Sequence, residues 1–433
     1  RRLTQGRLGN FQCEGRSLKD VILQDLQQAI SLQYPKHLQL APDTTLQHEL
    51  DEQEQYFQAA SAGFIPRGDD FKALNTYLEN GQGKPYMLAA PAGAGKSTLL
   101  ASWINSLRTP GKPQTWRVFY RFIGASDNSS DVQSLLRSLI QEAVAVSAAS
   151  SNGSTAQVGD SGLDPARLRE TWLKTIGDAL SLSQCLLVLD GLDQLDQGFS
   201  DLDWLPVQLP INMRLVASIQ SGTEAADEYY RSLEAGGQVA LERLPLFETK
   251  ESRKQIVQQF LSQYLKELDA TQLDQIVSLP GSKNPLYLKI ILSELRIFGV
   301  FNELSQKITS FGSTPQSAFQ GMLQRMECDA VFTALPPAQL APIVFAFLAH
   351  ARQGLSEAEL VDLVGAEFRN LEHSHTPEQI RDSVRLMLRQ ARPFLSRRGG
   401  RYSFYYQSFQ AAVMQRYVAS PEETSTQIKR TSA

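Results

Sequence analysis

The sequence predicts an α/β fold, a parallel doubly wound sheet with helices on both faces, followed by a small helical domain and a further module of helices that ends in a hairpin. Three observations predict it. The short apolar run Tyr86-Met87-Leu88-Ala89 leads through Ala90-Pro91-Ala92-Gly93-Ala94-Gly95 into Lys96-Ser97-Thr98-Leu99-Leu100-Ala101-Ser102-Trp103-Ile104, which has helical spacing. This is a strand, a glycine-rich turn and a helix in succession. Cys185-Leu186-Leu187-Val188-Leu189-Asp190 is a continuous apolar run ending in a carboxylate, which suits a central parallel strand buried on both faces. From Lys250 onward the pattern is helical until residues 394–406, which alternate around Gly399-Gly400 as a hairpin does.

The glycine-rich turn carries chemistry. Gly93 and Gly95 let successive backbone N–H groups point inward as an anion-binding nest. The helix N-terminus adds unsatisfied donors and a partial positive charge. Lys96 reaches the β- and γ-phosphates of a bound nucleotide, and the Ser97 hydroxyl ligates Mg²⁺. Ala90, Pro91, Ala92, Gly93, Ala94, Gly95, Lys96, Ser97 and Thr98 are therefore candidate nucleotide-binding residues, with Ala90 standing where the usual pattern has glycine. The alternative, a turn that only caps a helix, does not account for Gly-Lys-Ser-Thr between a strand and a helix. Asp190 falls at the C-terminal end of its strand, where doubly wound sheets bind ligands, and is the second candidate Mg²⁺ residue. Its structural alternative is a strand-end turn residue. Asp193, three residues on, is placed to orient or deprotonate an attacking water. Asp193 and Lys96 are the candidate catalytic residues.

The residues Ala90–Thr98 and the run from Leu186 to Leu195 resemble the NACHT branch of the STAND NTPases. These are signal-transduction switches with a P-loop NTPase core, a helical domain and a winged-helix domain. That family follows the Mg²⁺ aspartate with a small residue, here Gly191, and an acid two positions further, here Asp193. Many members add a second acid, where this chain has Gln194. The family's phosphate-sensing arginine at the end of a later strand is matched by Gln220 or Ser221. An uncharged amide can hydrogen-bond phosphate but not neutralise it, so the resemblance implies slow hydrolysis.

Composition bounds the reading. The 433 residues allow about two to four structural units, and a hydrophobic share of 42% suffices for proper cores. A net charge of −4 provides no basic footprint for nucleic acid. Three widely spaced cysteines, Cys13, Cys185 and Cys328, form no disulfide framework and suit a reducing cytosol. No stretch of about 18 apolar residues marks a membrane span, and Arg1-Arg2-Leu3-Thr4-Gln5 opens no signal segment. A cytoplasmic protein is expected. Without an initiator methionine, the chain is expected to be a fragment of a longer protein.

The elements follow in order. Residues 1–62 are expected to be connecting helices. One covers 16–34, with Leu18, Val21, Ile22, Leu26, Ala29, Ile30 and Leu32 at helical spacing before Pro35, and a second covers 47–61. The NTPase core is expected over 63–248. Its segment Gly63 to Phe71 is similar to one that touches adenine in the family, with Pro66-Arg67 as the matching pair; a plain turn before a helix over Asp70–Glu79 is the alternative. Further strands are expected over Val118–Ile123, Met213–Gln220 and Val239–Leu244. Ser129 or Ser130 is expected to cap the helix after the second strand, and Ser147–Gly162 to be a flexible loop. Asp164-Pro165 opens the helix before Cys185. Arg121 is read as a structural salt bridge rather than a phosphate contact.

The helical domain is expected over 249–330. Its Pro280–Leu286 break is similar to the family's adenine-packing Gly-x-Pro motif, with Pro285 in the proline's place; a plain first-turn proline is the alternative. The winged-helix domain is expected over 331–419, with capping boxes at Ser356–Glu359 and Thr376–Gln379 and a disordered tail over 420–433. The family's histidine after the wing, which contacts the β-phosphate of ADP, is matched by Tyr406. Arg381, Arg385, Arg389 and Arg392 are read as a solvated or interdomain face ahead of a DNA contact. The function implied is an ATP/ADP switch that self-oligomerises when activated in a defence or signalling pathway, with effector and sensor regions elsewhere. The alternatives are a winged-helix DNA-binding regulator and a constitutively cycling ATPase.

Overall fold

The structure, a computed structural model, describes residues 3–4, 12–13, 16–17, 42–61, 71–81, 83–108, 116–150, 165–179, 184–196, 202, 204–237, 239–297, 308–351, 354–370, 375–398 and 400–418. The chain divides into two compact units, Arg1–Asp51 and Glu52–Ala433.

In the first unit, strands β1 (Leu3–Thr4), β2 (Gln12–Cys13) and β3 (Arg16–Ser17) form an antiparallel sheet in the order β1-β2-β3. This corrects the expectation that residues 1–62 are connecting helices. The helix read over 16–34 begins in extended backbone, with Cys13 paired to Arg16, and its remainder lies outside the described residues. Glu14-Gly15 between the paired residues has the glycine that two-residue hairpins favour, a signal that helical spacing downstream obscured. The second expected helix is present as α1 (Pro42–Ser61), and its residues from Glu52 on belong to the second unit.

The second unit is built on a five-stranded sheet. In chain order it comprises α2 (Lys72–Asn80), β4 (Tyr86–Ala90), α3 (Lys96–Leu107), β5 (Trp116–Phe122), α4 (Val132–Ser150), α5 (Pro165–Ala179), β6 (Gln184–Asp190), β7 (Met213–Gln220), α6 (Glu224–Gly236) and β8 (Ala240–Arg243). The strand order is β5-β6-β7-β4-β8, every pairing parallel. The chain therefore winds outward from β4 to β5, returns to β7 beside β4, and then crosses to β8. Such reversal points open a crevice at the strands' C-terminal ends, and β4 and β6 both end there.

Alternate residues of each strand feed two different cores. Met87, Ala89, Leu187, Leu189, Leu215 and Ala217 pack with Leu135, Leu139, Trp172 and Ile176 of α4 and α5. Tyr86, Leu88, Leu186, Val188 and Val216 pack with Phe57, Leu74, Leu100 and Trp103 of α1, α2 and α3. A sheet covered on both faces explains why the β6 sequence is apolar without alternation. Arg121 is 1% exposed and its guanidinium meets Glu142 at 2.8 Å, the structural ion pair expected of it. The cap of α4 is Asp131, whose Oδ1 accepts from the Ser134 N–H at 2.9 Å. Ser126 and Ser129 instead cap each other around the turn before it, which corrects the expected Ser129 or Ser130 cap. Ser147 to Ser150 continue α4, which corrects the start of the expected loop; its remainder lies outside the described residues.

The rest of the unit is helical: α7 (Lys250–Ser262), α8 (Ala270–Ser278), α9 (Pro285–Ile297), α10 (Pro315–Glu327), α11 (Pro337–His350), α12 (Glu357–Asn370), α13 (Pro377–Ala391) and α14 (Gln407–Val413). These share one core that runs from Phe247 to Val413. A short β9 (Leu355–Ser356) joins β10 (Leu395–Arg398) and β11 (Arg401–Phe404) in the order β10-β11-β9. The hairpin register pairs Leu395 with Phe404 and Arg398 with Arg401. Gly400 has φ +81°, in the left-handed region that glycine enters without steric cost. Arg401 grips Glu359 with two hydrogen bonds, at 2.7 and 2.9 Å, tying the hairpin to α12. The Ser356–Glu359 and Thr376–Gln379 capping boxes both form. Among the described residues no helix is long and apolar enough to cross a membrane.

Candidate functional site

The site begins where β4 ends. Ala90 is the last residue of the strand, 1% exposed and paired with Gln220. Leu265 is the only described residue other than glycine with positive φ, so this position asks nothing of its residue that alanine lacks. The turn needs glycine elsewhere. Gly93 has φ +74°, and a Cβ added there would stand 2.6 Å from the Leu286 Cβ. Gly95, φ +93°, caps α3. Pro91 accepts from Ala94 N–H at 3.2 Å, which closes the loop over the helix end. The Lys96 ammonium reaches back to the Ala90 carbonyl at 2.9 Å.

The carboxylates arrive from β6. Asp190 is 3% exposed, and its Oδ1 accepts from the Ser218 hydroxyl at 2.5 Å. Ser218 Oγ in turn accepts from Gly191 N–H at 2.9 Å. Burial pushes the Asp190 carboxyl above the usual carboxylate range, against hydrogen bonds from Ser218 and Ser97 and the charge of Lys96. Burial likewise pulls the Lys96 ammonium down, against Asp190 and Asp193. Lys96, Ser97, Asp190 and Asp193 are thus brought together. Asp193 is half-buried, and its Oδ1 accepts from Gln220 N–H at 2.7 Å. Gly191, φ +81°, turns the chain between the two acids, and a Cβ there would meet the Gln194 side chain at 2.7 Å.

A third wall comes from the helices. Asn284 starts α9 through its side chain and donates to the Ala92 carbonyl at 2.8 Å. Leu286 N–H donates to the Gly93 carbonyl at 3.1 Å. Pro285, Leu288 and Lys289 follow on the same wall, and Leu395, Phe404, Tyr405 and Tyr406 also line the space. Lys289 donates to the Tyr406 hydroxyl at 3.0 Å. Tyr405 stacks on Tyr56 with ring centroids 5.2 Å apart. Burial, the Tyr56 and Tyr406 phenols and Asp190 hold its own phenol well above the ordinary value. Of the two tyrosines, Tyr405 feels the Asp190 charge, while Tyr406 bonds α9. The enclosed space is about 730 Å³ and includes Gly93, Gly95, Lys96, Ser97, Thr98, Asp190 and Asp193 in its lining, within the usual range for a small-molecule site.

Arg67 and Pro66 lie outside the described residues. Arg381, Arg385 and Arg389 are exposed on α13, with Arg385 paired to Glu357 at 2.5 Å, while Arg392 reaches the cavity wall. Ser218, Asn284, Lys289, Tyr56 and Tyr405 went unread in the sequence. Only Asn284 carried a signal, as a cap residue before a proline.

A cation, a hydroxyl and a carboxylate gathered at a helix N-terminus are the donor set for a phosphate and a hard cation. Among the described residues no group of three or more His, Cys, Asp or Glu side chains could hold a metal ion. One hydroxyl and one carboxylate hold Mg²⁺ only together with phosphate oxygens and water.

The family described as Nephrocystin 3, N-terminal, matches residues 70–215. Telomerase protein component 1 of Mus musculus is 27% identical over 274 residues, covering 60% of this chain and 10% of that protein. Nephrocystin-3 of Homo sapiens is 29% identical over 187 residues, covering 41% of this chain and 13% of that protein. A Signal Transduction ATPase with Numerous Domains (STAND) protein with a tetratricopeptide repeat sensor from Pyrococcus horikoshii has a TM-score of 0.41 at 13% identity, covering 83% of this chain and 43% of that one. The chain spans between 10% and 22% of the length of the first curated relatives it matches.

Proposed function

We propose that this chain is the nucleotide-binding switch of a larger protein, a P-loop NTPase of the STAND type and its NACHT branch, that holds ADP or ATP with Mg²⁺. The observation that carries the reading is the contact of Ser97 with Asp190 beside the Lys96 ammonium. Residues 63–248 are its core, 249–330 its helical domain and 331–419 its winged-helix domain. The loop Ala90–Thr98 wraps the phosphates. Lys96 neutralises them, Ser97 and Asp190 hold the Mg²⁺ with its water, and Asp193 orients a water for slow hydrolysis. Arg67, Pro285 and Tyr406 complete the nucleotide pocket.

The switch acts by differential affinity: a nucleotide shifts the closed and open forms only as far as it binds them unequally. Contacts from Asn284 and Leu286 onto the loop Ala90–Thr98, and of Tyr406 with Lys289, support a closed form built around the nucleotide. Opening exposes surfaces for self-association in a signalling or defence pathway. A relative of Dictyostelium discoideum named for tetratricopeptide repeats, 22% identical, supports a repeat-built sensor outside this region. The protein acts in the cytoplasm, without membrane or nucleic acid as partner.

The test is to denature the purified protein and identify by chromatography what it releases. Tightly held ADP, absent from Lys96→Ala, is the expected result. Wild-type protein that carries no nucleotide and takes up none from solution contradicts the reading.

A further inference from the structure

A polyphosphate in this cavity brings three or four negative charges, and the walls described above offer few positive ones. Of the cavity-lining residues that are described, only Lys96, Lys289 and Arg392 are cationic. Lys96 faces Asp190 and Asp193, so much of its charge is already answered. Arg392 is exposed, in the turn after α13. Lys289 differs from both. It is half-buried, and among the described residues it makes no ion pair; its ammonium rests 3.0 Å from the Tyr406 hydroxyl and 5.4 Å from the ring centroid. A cation in a partly desolvated wall interacts more strongly than one in water.

Its placement is set by the phosphate loop itself. Leu286, the residue of α9 that bonds the Gly93 carbonyl, is three positions before Lys289, and residues so spaced share a helix face. The face of α9 that touches the loop is the face that presents this ammonium. Resting on the nucleotide reading above, we propose that Lys289 is a second phosphate-binding residue, taking the anionic tail of the nucleotide in place of the positive charge missing at Gln220. An ammonium has three donors, so Lys289 holds phosphate without releasing Tyr406. The bound tail then joins the phosphate loop, α9 and the hairpin through one side chain. Tyr406 acts through Lys289 as a positioning residue.

Titration of the full chain with Mg-ADP and with AMP tests this. Lys289→Met is expected to weaken ADP about 10- to 100-fold, the scale of one charge-assisted hydrogen bond, and to change AMP by less than about threefold. Lys289→Arg is expected to restore ADP to within about threefold, which separates lost charge from lost packing. Tyr406→Phe is expected to weaken ADP less than Lys289→Met does. Undiminished ADP affinity in Lys289→Met, with Lys96→Ala inactive, overturns the proposal and leaves the nucleotide site standing. Equal losses of ADP and AMP, or no rescue by arginine, also overturn it. Wild-type protein that binds neither nucleotide overturns the site and this inference together.

Discussion

Asn284 donates its side-chain amide to the Ala92 carbonyl at 2.8 Å while its Oδ1 accepts from Leu286 and Tyr287 N–H at 2.9 and 3.3 Å. One side chain therefore starts α9 and pins the glycine-rich turn, although 192 positions separate the partners. Asn284→Ala removes both functions. A helix cap is worth about 1 kcal/mol, and the loop contact adds a similar amount. Thermal unfolding is expected to show a loss of about 1–2 kcal/mol, accompanied by weaker ADP binding. Asn284→Asp keeps the cap and loses the donor, so its stability loss is expected to be smaller while its ADP affinity still falls.

Asp190 is a buried carboxylate whose pKa is raised, chiefly by burial. The sign of its pH effect follows from linkage. The folded state holds the proton to higher pH than the unfolded state does. Its contribution is therefore most favourable below the ordinary carboxylate range and declines as pH rises through the raised value. Melting temperature measured against pH is expected to fall across that window in the wild type and to be flatter in Asp190→Asn. The same substitution is expected to abolish the Mg²⁺-dependent part of nucleotide affinity. Ser218→Ala removes a hydrogen bond that lowers this pKa, so the pH at which Mg²⁺ dependence appears is expected to move up.

Gln194 is exposed beside Asp193 and lines the cavity. Asp193 is already engaged by Gln220 N–H at 2.7 Å, which orients it as an acceptor. A second carboxylate next to it would assist deprotonation of water, a contribution of about 100-fold or more in favourable sites. Gln194→Glu is expected to raise phosphate release at least about tenfold. An unchanged rate would remove water activation from the reasons for slow turnover.

Local patterns in the sequence reached the sheet, the glycine-rich turn and the Asp190 strand because each is written in consecutive residues. Apolar runs, a glycine-rich turn and caps are short-range signals, and Met213–Gln220 was read to the residue. The rest depended on distance along the chain. Ser218 matters only because β7 lies between β4 and β6, and no local pattern marks a serine as the partner of an acid 28 positions earlier. Lys289 reads as an ordinary polar position of an amphipathic helix until α9 is laid against Gly93. Tyr406 and Tyr405 are adjacent, and only the exit of the hairpin decides which phenol faces Asp190. The N-terminal strands were missed because each is two residues long, too short for alternation to register.

The central claim concerns Lys96 and Asp190 gripping one ligand between two strands of one sheet. The most direct measurement is calorimetric titration of Mg-ADP into wild-type protein and Lys96→Ala under identical conditions. Saturable binding by the wild type, weakened at least about 100-fold in Lys96→Ala, is the expected result. Equal affinity in the two proteins would contradict the claim, because the ligand would then lie outside the space these residues enclose.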